Sequence, residues 1–273
     1  MPRQHQPLLR VEHLSMNHLQ RHAVTNAKLI VQAFADVNLT IYPNTTVALV
    51  GESGAGKSSL ARCLALLEKP AEGEIWFEGL NLLALDGRAL FPKRREIQMI
   101  FQDPTSALNP RLTAGEIIAE PLLIQGQGTK AQRREQALDV MEQVGLPRKC
   151  EGKTALEFSG GQRQRLAIAR ALILEPKLLI LDEALSSLDI TNQEMILKLL
   201  TDIQVTHSLT YLHISHDLRL VSRFADEIVV MHAGKIVEHG QAANLLAEPQ
   251  HPYTQELLAA MPSLESICQE RFA

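Results

Sequence analysis

The sequence has little cysteine, no long apolar run and no basic excess, and each absence argues against a class of protein. Its three cysteines, Cys63, Cys150 and Cys268, show neither metal-ligand spacing nor a redox pair, which is typical of a reducing compartment. No apolar run approaches the roughly 20 residues that cross a bilayer, and the first residues lack the hydrophobic segment of a secretory signal. Lys and Arg number 27 against 31 Asp and Glu, so no basic footprint for nucleic acid is present. The sequence predicts a cytosolic protein that does not bind nucleic acid.

Short apolar runs alternate with helical stretches along the chain, a pattern typical of an α/β fold with a parallel sheet. Alternating apolar and polar residues predict half-buried strands at Leu8–Leu14 and Ala35–Ile41. Between them, Met16–Asn26 is predicted to be a loop or hairpin end. Four apolar runs predict further strands, at Thr46–Val50, Lys177–Leu181, Thr210–Ser215 and Asp226–His232.

The segment Asp103–Glu157 differs because it contains no strand pattern. Helical periodicity extends over Ala114–Ile124 and Ala131–Val144. Helix breaks are predicted at Pro121, Gly126 and Gly128. We interpret the segment as a helical insertion into the α/β core.

A glycine-rich loop follows the strand predicted at Thr46–Val50 and precedes a helix predicted at Lys57–Leu67. Its sequence, GESGAGKS, has the G-x-x-x-x-G-K-[ST] pattern of a phosphate-binding loop. The glycines let backbone N–H groups converge on phosphate oxygens, and the helix start adds partial positive charge. Lys57 is expected to reach the β- and γ-phosphates, and the Ser58 hydroxyl to bind Mg²⁺. The candidate nucleotide-binding residues of this loop are Gly51, Glu52, Ser53, Gly54, Ala55, Gly56, Lys57, Ser58 and Ser59.

Two acidic residues end the apolar run LLILDE, at Asp182 and Glu183. The run places them at the carboxyl end of a buried strand, where ligands collect in α/β sheets. Asp182 is predicted to hold Mg²⁺, and Glu183 is the candidate to polarise the water that attacks the nucleotide. A helix cap without chemistry is the alternative for two adjacent acids in this position.

A third motif, Phe158-Ser159-Gly160-Gly161-Gln162, precedes the helical run LAIARAL. Ser-Gly-Gly exposes backbone N–H groups at a helix start and so offers a second anion site in the same chain. Together with the phosphate loop, this motif resembles the signature of the ATP-binding cassette (ABC) ATPases, although many members have Leu at the position of Phe158. The resemblance covers residues 8–240 and implies that Ser159, Gly160, Gly161 and Gln162 contact nucleotide.

The resemblance implies a phosphate-loop NTPase (RecA-like) core with a parallel sheet, an antiparallel β region at the N-terminus and an inserted helical subdomain. The single nucleotide-binding domain would span 1–273. Its catalytic core would comprise 8–102 and 158–240, with the helical subdomain at 103–157 and a C-terminal extension at 241–273. ATP and Mg²⁺ are the implied cofactors, and ATP hydrolysis is the implied activity.

Further positions match motifs of the family in the expected order. Gln102, in IFQDP, matches the glutamine that contacts the metal and the attacking water. Leu185–Asp189 matches the D-loop that runs across a partner subunit, with Asp189 at its end. His216, in ISHD, matches the histidine that holds the γ-phosphate. Glu183, His216, Gln102 and Lys57 are therefore the expected catalytic residues, and Ser58, Gln102 and Asp182 the expected metal ligands.

The residue that stacks on adenine departs from the usual family pattern. Many members carry an aromatic residue a few positions after the first strand, where this chain has His18. An imidazole stacks more weakly than a tyrosine ring. Phe34 is the alternative for this contact, and the sequence leaves both open.

In this family the signature loop of one subunit caps the phosphate held by the phosphate loop of another. The resemblance therefore implies a head-to-tail dimer, either of this chain with itself or with a related second ATPase. The helical subdomain would receive integral-membrane permease subunits, which work with an extracytoplasmic solute-binding protein. The chain would then lie on the inner face of the cell membrane.

Two stretches resemble the oligopeptide/dipeptide/nickel importers in particular. FQDPTSALNPR begins at Phe101, and HPYTQELL begins at His251. Two short helices are predicted from Gln241 onward, and they flank Pro249 and His251-Pro252. This subgroup commonly uses two different ATPases, which favours a related second ATPase as the dimer partner. Some members bind an iron–sulfur cluster through several C-terminal cysteines, but this chain has only Cys268 there, so no cluster is expected.

Four histidines near the start, His5, His13, His18 and His22, do not have the spacing expected of a metal site and are interpreted as solvated. They do not identify nickel as cargo, because cargo choice belongs to the binding protein and the permease. The sequence leaves the cargo open among oligopeptides, dipeptides, nickel complexes and other solutes.

Two alternative functions belong to other classes. The chain would be the ATPase of a soluble complex, such as one for phosphonate breakdown, or an ABC ATPase of DNA repair or translation. The second alternative is disfavoured by the single cassette, the short insertion and the net charge of −4.

Overall fold

The computed structural model describes residues 6–21, 28–186 and 188–260. Of the residues singled out above, His5, His22, Ser187 and Cys268 lie outside these ranges. The described strands are β1 (Leu9–Arg21), β2 (Lys28–Ile41), β3 (Thr46–Val50), β4 (Glu72–Phe77), β5 (Leu80–Asn81), β6 (Ile97–Ile100), β7 (Leu178–Asp182), β8 (Thr210–Ser215), β9 (Glu227–His232) and β10 (Lys235–Gln241).

The described helices range in length from 4 residues in α3 to 18 residues in α7. They are α1 (Lys57–Leu64), α2 (Gly87–Lys93), α3 (Pro104–Ala107), α4 (Ala114–Ile124), α5 (Lys130–Gln143), α6 (Gly160–Leu172), α7 (Ile190–His207), α8 (Leu218–Phe224), α9 (Ala242–Ala247) and α10 (Pro252–Ala259). None of the helices in the described ranges is long and apolar enough to cross a membrane. The predicted α/β fold is confirmed.

The chain divides into two compact units, of which the first contains residues 1–90 and 210–273. Its antiparallel sheet has the strand order β2-β1-β4-β5. In a second sheet, β3 lies between β8 and β9 and runs parallel to both, while β10 pairs antiparallel with β9. Every residue of β3 and β8 is buried, as expected for central parallel strands covered on both faces.

The C-terminal helices of this unit are part of its core rather than an appendage. Buried side chains of α9 and α10, including Leu246 and Leu258, share one hydrophobic cluster with Val50 of β3, Val230 of β9 and Val221 of α8. The two short helices predicted from Gln241 onward are confirmed. Their packing fixes the position of α10 against the sheet.

The second unit contains residues 91–209. In it β6 and β7 pair in parallel, and α4, α5 and α6 contact one another. The inner face of α4 buries Ile117, Ile118 and Leu122, with the spacing of an amphipathic helix. Each of the three helices begins with a capping box, at Thr113, Thr129 and Ser159.

The structure corrects the prediction for Met16–Asn26, part of which is strand. β1 continues to Arg21 and pairs with β2 down to Lys28. The strand pattern is obscured by register shifts in this pair and by left-handed residues, His13 with φ 51° and Asp36 with φ 51°. Each irregularity reverses which side chains face the core, so strict alternation is lost.

The predicted break at Pro121 is also wrong, because α4 continues through it to Ile124. A proline removes one backbone hydrogen bond, but the cap at Thr113 and the buried face of α4 outweigh that loss. The predicted breaks at Gly126 and Gly128 are confirmed, and both adopt positive φ, 68° and 67°. Strands β4, β5 and β6 were not predicted, since β5 has only two residues and β4 and β6 contain only three apolar residues each.

His213 in β8 is a buried histidine whose titration affects stability. It is 1% exposed and its ring lies edge-on to Phe224, with centroids 5.7 Å apart. Burial lowers its pKa from 6.5 to about 4, so the folded imidazole stays neutral while the unfolded chain binds a proton below pH 6.5. We expect the free energy of unfolding to fall by up to about 3 kcal/mol between pH 6.5 and 4 because of this group.

The measurement is denaturant unfolding at pH 7 and pH 5 for the wild type and for His213→Phe, which cannot titrate. The loss of stability between the two pH values should be smaller in the variant by about 2 kcal/mol. His207→Gln, at an exposed position of α7, serves as the control and should follow the wild type. Equal pH dependence in His213→Phe and wild type would contradict the assignment.

Candidate nucleotide-binding site

The glycine-rich loop lies in the first unit, between β3 and α1. The loop leaves the carboxyl end of β3, and α1 begins at Lys57 directly after Gly56, which has φ 101°. Gly56 provides no side-chain cap for α1. Backbone N–H groups at such a helix start form a ready anion site.

The loop is glycine-rich because backbone packs against it. A Cβ atom on Gly51 would lie 2.0 Å from the Met231 carbonyl oxygen at the end of β9. A Cβ atom on Gly56 would lie 2.4 Å from the Ala33 carbonyl oxygen of β2. Both glycines also have positive φ, so no other residue fits without moving the backbone.

Lys57 is turned into the loop and is only 4% exposed. Its Nζ donates hydrogen bonds to the carbonyl oxygens of Gly51 and Glu52, each at 2.7 Å. Its ammonium group is therefore held inside the curve of the backbone. An ammonium in such a loop is a point charge suited to phosphate oxygens.

The two candidates for adenine contact differ in burial. His18 of β1 is half-buried, and its Nε2 is 2.9 Å from the hydroxyl of Ser59 in α1. Phe34 is completely buried, which leaves its ring no exposed face for a ligand. His18 thus lies beside the helix that follows the phosphate loop, and its contact with adenine stays a prediction.

His216 follows the carboxyl end of β8, which is the parallel neighbour of β3. The imidazole is exposed. Because parallel neighbours end at the same edge of a sheet, His216 and the phosphate loop follow the same edge of this sheet. The predicted position of His216 after a buried strand is confirmed.

The second unit brings together Gln102 and Glu183. Gln102 follows β6, while Asp182 is the last residue of β7 and is 7% exposed. The Nε2 of Gln102 donates a hydrogen bond to Oε2 of Glu183 at 3.0 Å. Two predicted catalytic side chains, distant in sequence, are therefore in direct contact.

The Glu183 backbone adopts a left-handed conformation, with φ 47°. This conformation is uncommon in a residue with a side chain and marks the sharp turn that ends β7. The Glu183 carbonyl oxygen accepts hydrogen bonds from the Ser186 N–H at 3.1 Å and from its hydroxyl at 2.8 Å. The turn fixes the direction in which the Glu183 carboxylate leaves the strand.

The signature residues form the beginning of α6. Ser159 is its N-cap: the Gln162 N–H donates to the Ser159 hydroxyl at 3.4 Å, and the Ser159 N–H donates to Oε1 of Gln162 at 3.0 Å. These side chains thus hold the helix start in place, and their contact with nucleotide stays a prediction. A Cβ atom on Gly161 would lie 2.6 Å from Oδ1 of Asn192.

Asn192 is a residue that sequence reasoning missed. Its backbone N–H donates to Oδ1 of Asp189 at 3.0 Å and its Nδ2 donates to Oδ2 at 2.6 Å. The first of these bonds is the main reason that the pKa of Asp189 lies below its ordinary value. Asn192 therefore connects the end of the D-loop with the signature helix, and no local pattern in the sequence indicates it.

The predicted residues are distributed over both units. His18, Lys57 and His216 belong to the first, and Gln102, Ser159, Asp182, Glu183 and Asp189 to the second. The metal-ligand types expected from the sequence are a hydroxyl, an amide and a carboxylate, all hard oxygen donors that suit Mg²⁺. Among the described residues, no group of three or more His, Cys, Asp or Glu side chains is arranged so that it could hold a metal ion.

Comparisons with known proteins agree with these motifs. The sequence profile of the ABC transporter family matches residues 34–186. The chain is 43% identical over 259 residues to the dipeptide transport ATP-binding protein DppF of Escherichia coli, covering 95% of this chain and 78% of that protein. It is 45% identical over 250 residues to a putative peptide import ATP-binding protein of Brucella ovis, with coverages of 92% and 78%.

Solved structures show the same fold. The ATP-binding cassette MJ0796, in a dimeric post-hydrolysis state bound to ADP and phosphate, superposes with a TM-score of 0.75 at 28% identity, covering 86% of this chain and 98% of that one. CbiO1 of Clostridium perfringens, part of an ABC transporter complex, has a TM-score of 0.75 at 26% identity, with coverages of 89% and 91%. This chain belongs to the ABC transporter family, as one of its ATP-hydrolysing subunits.

Proposed function

We propose that this chain binds and hydrolyses ATP to energise a membrane importer of peptides. The observation that carries the proposal is the 43–45% identity, over most of the chain, with proteins named for dipeptide or peptide import. The phosphate loop and the contact between Gln102 and Glu183 supply the chemistry that this role requires.

The first step of the proposed reaction is capture of the nucleotide phosphates. The N–H groups of the loop and of the start of α1 donate hydrogen bonds to the β- and γ-phosphates, and Lys57 neutralises part of their charge. Ser58, Asp182 and Gln102 would hold Mg²⁺, which supplies charge neutralisation of the phosphate oxygens. His18 would contact adenine.

Hydrolysis then requires a positioned water and an acceptor for its proton. The Glu183 carboxylate orients the water and accepts the proton, as a general base does. The hydrogen bond from Gln102 Nε2 fixes Oε2 of Glu183 and so orients the carboxylate that acts on the water. His216 donates a hydrogen bond to the γ-phosphate, which gathers negative charge during transfer. No covalent intermediate is needed.

The signature residues would act on the nucleotide of a partner subunit in a head-to-tail dimer. One chain contains two helix starts suited to anions, at α1 and α6, and they belong to different units. We favour a related second ATPase as the partner over a second copy of this chain. ATP would close the dimer and hydrolysis would reopen it.

The remaining partners are integral-membrane permease subunits, bound through the helical subdomain at 103–157, and indirectly an extracytoplasmic solute-binding protein. This arrangement places the chain on the cytoplasmic face of the membrane. The names of the relatives favour peptides over nickel complexes as cargo.

The test replaces the chromosomal copy by Glu183→Gln and measures uptake of labelled di- and oligopeptides and of nickel. Peptide uptake should be lost, nickel uptake should be unchanged, and a tagged variant purified with ATP and Mg²⁺ should retain polytopic membrane proteins. Loss of nickel uptake alone would reassign the cargo. Recovery of soluble enzymes, ribosomes or nucleic acid without a permease would overturn the transport role.

A further inference from the structure

Tyr253 of the C-terminal helix α10 contacts the phosphate loop, although 201 positions separate the two in sequence. The backbone N–H of Glu52, the second residue of the loop, donates a hydrogen bond to the Tyr253 hydroxyl at 3.0 Å. The tyrosine is 7% exposed. Burial raises the pKa of the Tyr253 hydroxyl, so it remains protonated and uncharged at neutral pH.

The Tyr253 ring packs against the ring of His232, the last residue of β9. The ring centroids are 3.9 Å apart and the planes are inclined by 35°. The residue before His232, Met231, is the one whose carbonyl oxygen lies against Gly51. The first two residues of the loop are therefore enclosed by the end of β9 and by Tyr253.

Several hydrogen bonds fix the chain that carries Tyr253. The Tyr253 N–H donates to Nδ1 of His251, the N-cap of α10, at 3.2 Å. The Glu238 carboxylate accepts the N–H groups of Gln250 at 2.8 Å and His251 at 3.1 Å. With Leu258 in the hydrophobic cluster, these bonds set the position of the hydroxyl before any ligand binds.

Glu52 connects Tyr253 to the lysine of the phosphate loop. Its N–H is bonded to the tyrosine hydroxyl, and its carbonyl oxygen accepts from Lys57 Nζ at 2.7 Å and from the Ala55 N–H at 3.2 Å. Rotation of either peptide group that flanks Glu52 would alter one end of this connection. The tyrosine hydroxyl thus restrains the same backbone that holds the ammonium group.

We propose that Tyr253 is a positioning residue of the phosphate loop, which makes the C-terminal extension a part of the nucleotide site. The hydroxyl holds the Glu52 N–H, and through the Glu52 backbone it keeps Lys57 and the following N–H groups arranged for phosphate. The proposal rests on the nucleotide site proposed above. It gives the HPYT sequence, which marks the importer subgroup, a role in nucleotide binding.

The test is Tyr253→Phe, which removes the hydroxyl and keeps the ring on His232. The dissociation constants for ATP and ADP should rise about three- to tenfold, because part of the binding energy is then used to order the loop. The KM for ATP should rise by the same factor, while kcat at saturating ATP stays within about twofold. If the hydroxyl had only a structural role, its removal would lower thermal stability without raising KM selectively over a nearly unchanged kcat.

Tyr211→Phe is the matched control, since it removes the hydroxyl of another buried tyrosine, in β8 and away from the loop. It should leave both dissociation constants unchanged. His232→Leu is a second variant, which retains the hydroxyl but removes the ring against which Tyr253 packs. It should raise the dissociation constants for ATP and ADP less than Tyr253→Phe does. It keeps the proposal testable if Tyr253→Phe does not fold.

The outcomes separate this inference from the site on which it depends. If wild type binds ATP, Lys57→Ala does not, and Tyr253→Phe binds like wild type, then the role of Tyr253 is overturned and the site stands. The same holds if Tyr253→Phe and Tyr211→Phe weaken binding equally. If Lys57→Ala binds ATP like wild type, the nucleotide site itself is wrong.

Discussion

Replacing Glu183 by glutamine is expected to lower ATP hydrolysis about 10²- to 10⁴-fold, the usual contribution of a general base. The glutamine has the same shape, and its amide oxygen still accepts the hydrogen bond from Nε2 of Gln102. The change therefore removes the proton acceptor without disturbing the turn. ATP affinity should be retained, and an ATP-bound dimer should accumulate because the step that reopens it is blocked.

The control for this variant is Glu175→Gln. Glu175 has nearly the same left-handed backbone as Glu183, with φ 51° against 47°, but it is exposed and precedes β7 instead of following it. Its replacement should leave hydrolysis unchanged. Phosphate release at saturating ATP measures both variants, and size-exclusion chromatography with ATP and Mg²⁺ measures the dimer. Hydrolysis by Glu183→Gln within tenfold of wild type would remove Glu183 as the general base.

Replacing Lys57 by alanine should have an effect of similar size on catalysis but, unlike the glutamate variant, should also weaken binding. The ammonium is held 2.7 Å from two carbonyl oxygens and is almost completely buried, and a water molecule that took its place would carry no positive charge. Loss of one such preorganised charge is expected to lower kcat about 10²- to 10³-fold. The dissociation constant for ATP should rise at least about tenfold.

This variant also tests how far the loop depends on its own lysine. The carbonyl oxygens of Gly51 and Glu52 lose a donor, so the free energy of unfolding should fall by about 1–3 kcal/mol. Lys69→Ala, at an exposed position after α1, is the control and should change neither quantity. Fluorescence titration with a labelled ATP analogue and denaturant unfolding give the two values. Unchanged ATP affinity in Lys57→Ala would show that phosphate binding does not involve this loop.

The motifs that define the family were determined by the sequence itself, because each one is a local arrangement of the backbone. A phosphate loop needs glycines where φ is positive and a helix start at a fixed distance, and both requirements fall within Gly51–Ser58. The helix start at Ser159 and the acidic end of β7 are likewise set by neighbouring residues. For the same reason β3 and β8 have the predicted bounds, since each is a short run of residues that are all buried.

Only the tertiary structure decided which distant side chains meet. The hydrogen bond from Gln102 to Glu183 joins residues that follow two paired strands, β6 and β7, and the hydrogen bond from Glu52 to Tyr253 depends on how α10 packs against the sheet. Asn192 reaches Gly161 because two helices lie side by side. Such contacts arise from the packing of whole elements, whereas sequence patterns report only the preferences of adjacent residues. For that reason the extent of the pairing between β1 and β2 and the continuity of α4 through Pro121 were not predicted. In both cases strand pairing or burial outweighed the preferences of the local sequence.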